Sequence, residues 1–344
     1  MSVNLYDSRS LTAAINKMIL VNPFVLNKVF KTKEQHATDK IDVEIISGSE
    51  KLAQFASTNE TTPRNVAKLA RTVKTVTLPR TFESKVFSAQ ELMDFNAVGA
   101  LYDEKAKAAA QADRIAINLQ DLKERALRRR EQMAIEALST GKIQVSQNNT
   151  NFVADFGFVD TEQLVTLTGT SLFSNAASKP IAQFRTWSKN IMKRSGINAD
   201  VCLLGSSAAE AFIGNADVRA ALETNNFKVG ALDLTVAPVT GAFYLGRING
   251  IEFYEVTQQY IDDSGTTTDM LATDRAVLVA SNAPFRVHLG PSYRIENQKA
   301  VAMMGEYFLE VDSESGSRFL QWNCEQKSLP TIHDPGAVIS AKVV

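Results

Sequence analysis

Along residues 40–46, Lys-Ile-Asp-Val-Glu-Ile-Ile, apolar and charged positions alternate: Ile41, Val43 and Ile45 against Asp42 and Glu44. A period of two predicts a half-buried strand. It breaks at Ser47-Gly48-Ser49, and residues 50–80 follow with weak periodicity, many Thr, Pro63 and Pro79. Residues 81–89, Thr-Phe-Glu-Ser-Lys-Val-Phe-Ser-Ala, return as a strand. Two strands flanking a long polar excursion predict a protruding loop, because irregular stretches of this length are uncommon unless they do something.

A second pattern has the helical period. Ile115, Leu119, Leu122, Ala126, Met133 and Ala137 recur at spacings of three and four, with a gap at Arg128-Arg129-Arg130. That apolar stripe predicts a helix from about Asp113 to Thr140, stopped by Gly141. At ~1.5 Å per residue it would span roughly 40 Å, a structural beam. Residues 180–195 predict another amphipathic helix, begun by Pro180, with Phe184, Trp187, Ile191 and Met192 as contacts and Gly196 as its end. Residues 200–205 read as a buried strand and 206–214 as a helix capped by Ser206 or Ser207. Asn249-Gly250, between aromatic-rich runs, predicts a type I′ hairpin over 243–256. Residues 276–280 read as a buried strand, and short strands fill the chain after 285. Near the start, Asn22 is placed to cap a short helix with Pro23 in its first position and Phe24, Val25, Val29 and Phe30 on its apolar side.

Composition adds limits. The chain has 344 residues, 44% hydrophobic and 22% charged, ordinary for a folded chain of about two domains. The two cysteines, Cys202 and Cys324, form no metal-spaced cluster and suit a reducing compartment. No basic region with a clean apolar run opens the chain, and no stretch approaches a membrane span. Action in the cytosol, with no membrane partner, is therefore expected.

Net charge is −1, which argues against a generic polyanion binder, but the charge is unevenly placed. Residues 1–36 carry one Arg and four Lys against one Asp and one Glu. Between 64 and 85 stand Arg64, Lys68, Arg71, Lys74, Arg80 and Lys85 against Glu83 alone. Residues 200–274 hold eleven acids against Arg219, Lys228 and Arg247. A neutral chain split in this way suits binding to copies of itself.

Catalytic and metal signals are weak. His36, His288 and His333 stand far apart, without a metal-ligand spacing. Residues 203–209, Leu-Leu-Gly-Ser-Ser-Ala-Ala, do not match G-x-S-x-G. The Asp262-to-Asp269 loop lacks both a second copy of an aspartic-protease loop and the spacing of a calcium loop. No phosphate-binding glycine motif occurs. The residues point to no enzyme, cofactor or metal. For the arginines, Asp121→Arg125 and Glu124→Arg128 are helical pairs with the acid first. Arg130 falls where the apolar stripe should continue, so its guanidinium is expected to reach an acid or carbonyl beyond the helix. Base-specific DNA reading is not expected, since no nucleic-acid motif accompanies the cluster.

The order of these features resembles the lambda-type major capsid protein family, capsid protein E. Val-Asn-Pro-Phe-Val-Leu-Asn-Lys-Val-Phe (21–30) is similar to its N-terminal segment. Residues 40–60 are similar to its strand, glycine and Leu-Ala-Pro-Phe stretch, with Gln54 where Pro is usual. Residues 127–143 are similar to its helix end, with Met133 following Gln132 where Trp is common. Asp155-Phe156-Gly157 and the helix with Trp187 also fit.

This resemblance implies an α+β, HK97-like capsid fold. Residues 1–36 would form an arm crossing onto a neighbour, 37–95 the E-loop hairpin, and 96–159 the P-domain with its spine helix. Residues 160–285 would form the A-domain around capsomer centres, and 286–344 would return to P-domain strands. The implied function is a head protein assembling in the host cytoplasm, as hexamers and pentamers, into the icosahedral virion capsid around packaged dsDNA. An encapsulin-like compartment shell of the same fold is the alternative. A separate scaffolding protein, a portal and a decoration protein are the implied partners. Inter-subunit contacts are expected from Arg64, Lys68, Arg71, Lys74, Arg80, Arg128, Arg129, Arg130, Phe24 and Phe30.

Overall fold

The computed structural model describes residues 23–46, 71–88, 90–91, 104–147, 150–224, 241–262, 264–296, 299–312 and 318–344. The strands are β1 (Thr32–Gln35), β2 (Lys40–Ile46), β3 (Arg71–Thr77), β4 (Arg80–Ser88), β5 (Lys142–Gln147), β6 (Thr150–Asp155), β7 (Leu164–Thr166), β8 (Val201–Leu204), β9 (Ala242–Ile248), β10 (Ile251–Val256), β11 (Gln259–Ile261), β12 (Thr267–Asp269), β13 (Arg275–Val279), β14 (Phe285–Leu289), β15 (Ser292–Glu296), β16 (Lys299–Met303), β17 (Phe308–Asp312), β18 (Phe319–Ile332) and β19 (Val338–Lys342). The helices are α1 (Phe24–Lys28), α2 (Glu104–Thr140), α3 (Pro180–Ser195), α4 (Ser206–Gly214) and α5 (Ala216–Thr224).

The long helix α2 begins at Glu104, earlier than the apolar stripe predicts. Its first residues, Glu-Lys-Ala-Lys-Ala-Ala-Ala-Gln-Ala, carry no stripe but are strong helix formers. The 37 residues extend roughly 55 Å. The helix ends at Gly141, whose φ of 70° closes the last turn in the left-handed conformation.

One five-stranded sheet runs β1–β14–β18–β17, with β4 also on β18. The first half of β18 pairs with both β17 and β4, and its second half pairs with β14. The spine helix α2 lies against β18. A six-stranded sheet runs β7–β19–β13–β8–β10–β9. Strand β8 is buried at every residue, because α2 packs at the β13–β19 part of the sheet while α3 and α4 pack at β13, β19 and β10. Among the described residues, the ribbons β2–β3, β5–β6, β11–β12 and β15–β16 each pair only with themselves.

Several sequence expectations change here. Residues 80–88 form the strand read at 81–89, β4, but it joins the five-stranded sheet, and the partner of β2 is β3, from the stretch read as weakly periodic. A period-two pattern shows a strand but not its partner, since register depends on contacts distant in sequence. Strand β19 does not stay with the strands before it; it inserts between β7 and β13 of the six-stranded sheet. Helix α1 begins at Phe24 with Pro23 as its cap residue, and Asn22 lies outside the described residues. Gly205, not Ser206 or Ser207, occupies the α4 cap position, without a side-chain bond. The β9–β10 hairpin turns at Asn249 (φ 52°) and Gly250 (φ 86°), the two positive values of the type I′ turn.

Among the described residues the core has two apolar clusters, and α2 serves both. Leu119 and Leu122 join Phe87, Tyr307, Leu309, Leu320 and Trp322. Leu127, Met133, Ala134, Ala137 and Leu138 join the larger cluster, which runs from Phe24 and Phe30 through the six-stranded sheet.

Candidate assembly surface

Arg130 fills the gap in the apolar stripe and is 1% exposed. Its guanidinium donates to Glu306, while its Nε lies 3.2 Å from Ser328 Oγ and its plane stands 5.3 Å from the Tyr307 ring centre. Turning the Gln326 amide so that its oxygen faces Arg130 adds acceptors, and its NH2 then donates to the Ala126 carbonyl at 3.2 Å. Burial pushes the Glu306 carboxyl up, but Arg130 and Lys33 bring it below its usual value. Burial pushes the Tyr307 phenol up to about 12. The acid expected beyond the helix is thus Glu306, in the same chain. Arg130 is buried and paired among residues of its own chain.

Phe24 and Phe30 are likewise turned inward. Both are buried in their own chain, Phe24 against Tyr254 at 4.7 Å between ring centres and Phe30 against Phe285 at 5.5 Å. Helix α1 is held by the spine. Glu131, 2% exposed, accepts the N–H groups of Val25 and Leu26 at 2.7 and 3.0 Å. These are orphan donors at the start of a helix, whose positive end favours a carboxylate. Burial nevertheless pushes Glu131 up to about 7, against both donors. Lys28, at the other end of α1, bonds Glu252 at 2.7 Å and Tyr254 at 3.3 Å on β10.

The basic loop residues meet acceptors at home where their side chains are described. Lys74 donates to the Asp155 carbonyl at 2.8 Å. Arg80 bonds Glu325 at 2.8 Å and lies over the Phe82 ring at 4.3 Å. Lys85 meets Asp121 at 2.6 Å, and Arg125 meets Glu83 at 3.1 Å. Arg64 and Lys68 lie outside the described residues, and Arg71 enters only through its backbone in β3. On the spine, Asp121–Arg125 forms at 3.9 Å, whereas Glu124 accepts from Gln120 at 2.9 Å instead of pairing with Arg128. Arg128 is exposed, and half-buried Arg129 reaches Gln132 at 3.4 Å.

Sequence reading missed two features. The first is a histidine line. His36 Nε2 lies 2.7 Å from His288 Nδ1, His288 Nε2 lies 3.4 Å from His333 Nε2, and His333 Nδ1 lies 2.9 Å from the Glu44 carbonyl. All three histidines of the chain belong to it, although they stand far apart in sequence. Glu34-x-His36, a carboxylate and an imidazole two residues apart at the end of β1, was the local signal. The second is the outer face of the β15–β16 ribbon. Tyr293 pairs with Ala302 and Ile295 with Ala300, and all four side chains are exposed, Ile295 at 82%. No described helix is long and apolar enough to cross a membrane.

This architecture, a long spine helix on one sheet beside a second helix-flanked sheet, is that of HK97-like capsid subunits. The crystal structure of a putative prophage capsid protein from E. coli CFT073 shares 12% identity, covers 98% of this chain and 99% of its own, and superposes with a TM-score of 0.70. A phage-related protein from Bordetella bronchiseptica RB50 gives 0.53 at 8% identity, over 98% of this chain and 97% of its own. An encapsulin complex from Synechococcus elongatus gives 0.49 at 10% identity, over 98% and 95%. No curated protein matches the chain. The model of the phage major capsid protein E family matches residues 7–343, so the chain belongs to that family. It is a phage major capsid protein, a shell subunit.

Proposed function

We propose that copies of this chain join as hexamers and pentamers in the host cytoplasm and close an icosahedral shell around dsDNA, held without sequence specificity. The β15–β16 apolar face carries this reading. A two-stranded ribbon is marginal alone in water, and exposed Tyr293 and Ile295 gain stability when a neighbour covers them. Other exposed apolar side chains, Phe82, Val86 and Phe243, offer further patches. Many modest contacts of this kind add through multivalency. The exposed cations Arg128 and Arg80, and the loop cations Arg64, Lys68 and Arg71, then meet acidic surfaces of adjoining copies. Scaffolding, portal and decoration proteins complete the partner set implied by the family.

The test is electron microscopy of the purified chain, produced alone and with its neighbouring genes. Closed shells or rings of five and six are expected. Ile295→Asp should abolish them while leaving the circular dichroism spectrum unchanged. A persistent monomer with all partners present overturns the reading.

A further inference from the structure

Strands β1 and β14 run parallel, with Glu34 directly opposite His288. His36 lies just past the end of β1, two residues beyond Glu34, and its backbone N–H bonds the Leu289 carbonyl at 2.9 Å. This pairing brings one ligand atom from each of Glu34, His36 and His288 within 4.8 Å of the others. Two imidazoles and one carboxylate form the donor set of open zinc and related sites.

The surroundings prepare these atoms for a cation. The Glu44 carbonyl can only accept, so His333 carries its proton on Nδ1 and offers a lone pair at Nε2. His288 Nε2 at 3.4 Å and the Thr331 hydroxyl at 3.2 Å both face that lone pair; with His288 donating to it, the His288 Nδ1 lone pair faces Glu34 and His36. Outer hydrogen bonds that set a ligand's tautomer and orientation are a general feature of metal sites. The Glu34 carboxylate is similarly oriented, since Arg286 bonds its Oε1 while its Oε2 lies 3.6 Å from His288 Nδ1. His288 is 3% exposed, whereas His36 and Glu34 are half-buried, which leaves a solvent side for further ligands.

We propose that Glu34, His36 and His288 bind a divalent transition ion of the zinc class through Glu34 Oε2, His36 Nε2 and His288 Nδ1. Ligand distances of about 2.0–2.1 Å separate tetrahedral donors by roughly 3.3 Å, so the His36–His288 contact opens by a few tenths of an ångström. The proton now on His36 Nε2 moves to its Nδ1 through solvent, so the ring stays neutral. The Arg286 charge opposes the ion and keeps the site weaker than a closed structural centre. The ion fastens β1, the strand that follows α1, to the middle of the five-stranded sheet.

The test titrates Zn2+ into the full chain by calorimetry and follows Co2+ by its visible absorption, in whatever assembly state the chain adopts. One ion per chain is expected, with a thermal midpoint raised by Zn2+. His36→Ala and Glu34→Gln, both at half-buried positions, should each weaken binding by about tenfold or more and remove the thermal shift. The absence of stoichiometric binding, or binding unchanged in both variants, overturns the proposal. Neither result depends on shell formation, so it stands or falls apart from the capsid reading.

Discussion

Glu131 accepts the backbone N–H of Val25 at 2.7 Å across 106 positions of sequence. A side chain of the spine thereby supplies the cap that helix α1 lacks in its own residues. Replacing Glu131 by Ala leaves two buried N–H groups unmet and should cost about 2–4 kcal/mol. Urea unfolding of the variant measures it. Protease sensitivity near Phe24 should rise as well.

The pH dependence of that contact has a definite sign. The folded carboxyl titrates at about 7 against an ordinary 4.5. Between these values the folded chain keeps a proton that the unfolded chain has lost, so this group's contribution falls as pH rises and levels above about 7. Glu131→Gln lacks the effect. The stability of the Gln variant relative to the parent should therefore increase from pH 4.5 to pH 7.

His288 acts in the opposite direction. Burial, with His36 and His333 beside it, lowers its pKa from 6.5 to about 3. Below pH 6.5 the unfolded chain takes up the proton first, so acid favours unfolding until about pH 3. The slope approaches ~1.4 kcal/mol per pH unit for one such group. Chelator-treated parent and His288→Gln, unfolded at a series of pH values, should differ by this slope. Parallel curves would exclude the depressed value.

Arg130→Ala leaves Glu306 with Lys33 alone, at 2.9 Å, and empties a buried site in the apolar stripe, so it should lower stability by about 2–3 kcal/mol. Arg128→Ala, on the exposed side, should change it by less than about 0.5 kcal/mol. The double variant Arg130→Met with Glu306→Leu should recover much of the loss. A stable Arg130→Ala chain that fails only in assembly would instead assign Arg130 an inter-subunit role.

Gly141→Ala places a Cβ where φ is +70°, and that atom collides with the Phe158 ring. The cost should reach at least about 2 kcal/mol, read as a lower thermal midpoint.

The spine helix, the β9–β10 hairpin, α3 and the alternation of β2 were legible in the residues, because each rests on local periodicity or turn chemistry. The interruption at Arg130 also marked a buried cation, since an apolar stripe tolerates one only with a partner. Glu306, 176 positions away, left no local trace. The resemblance in residues 21–60 and 127–143 pointed to the family.

The tertiary structure alone decided how those elements join. It put β3 rather than β4 beside β2, sent β19 into the six-stranded sheet, and turned Phe24 and Phe30 inward. It also drew His36, His288 and His333 into one line from three strand ends. Local patterns follow from the backbone's own periods, which a chain carries wherever it goes. Register, partner choice and the meeting of distant side chains follow from which surfaces bury one another, and that is a property of the folded whole.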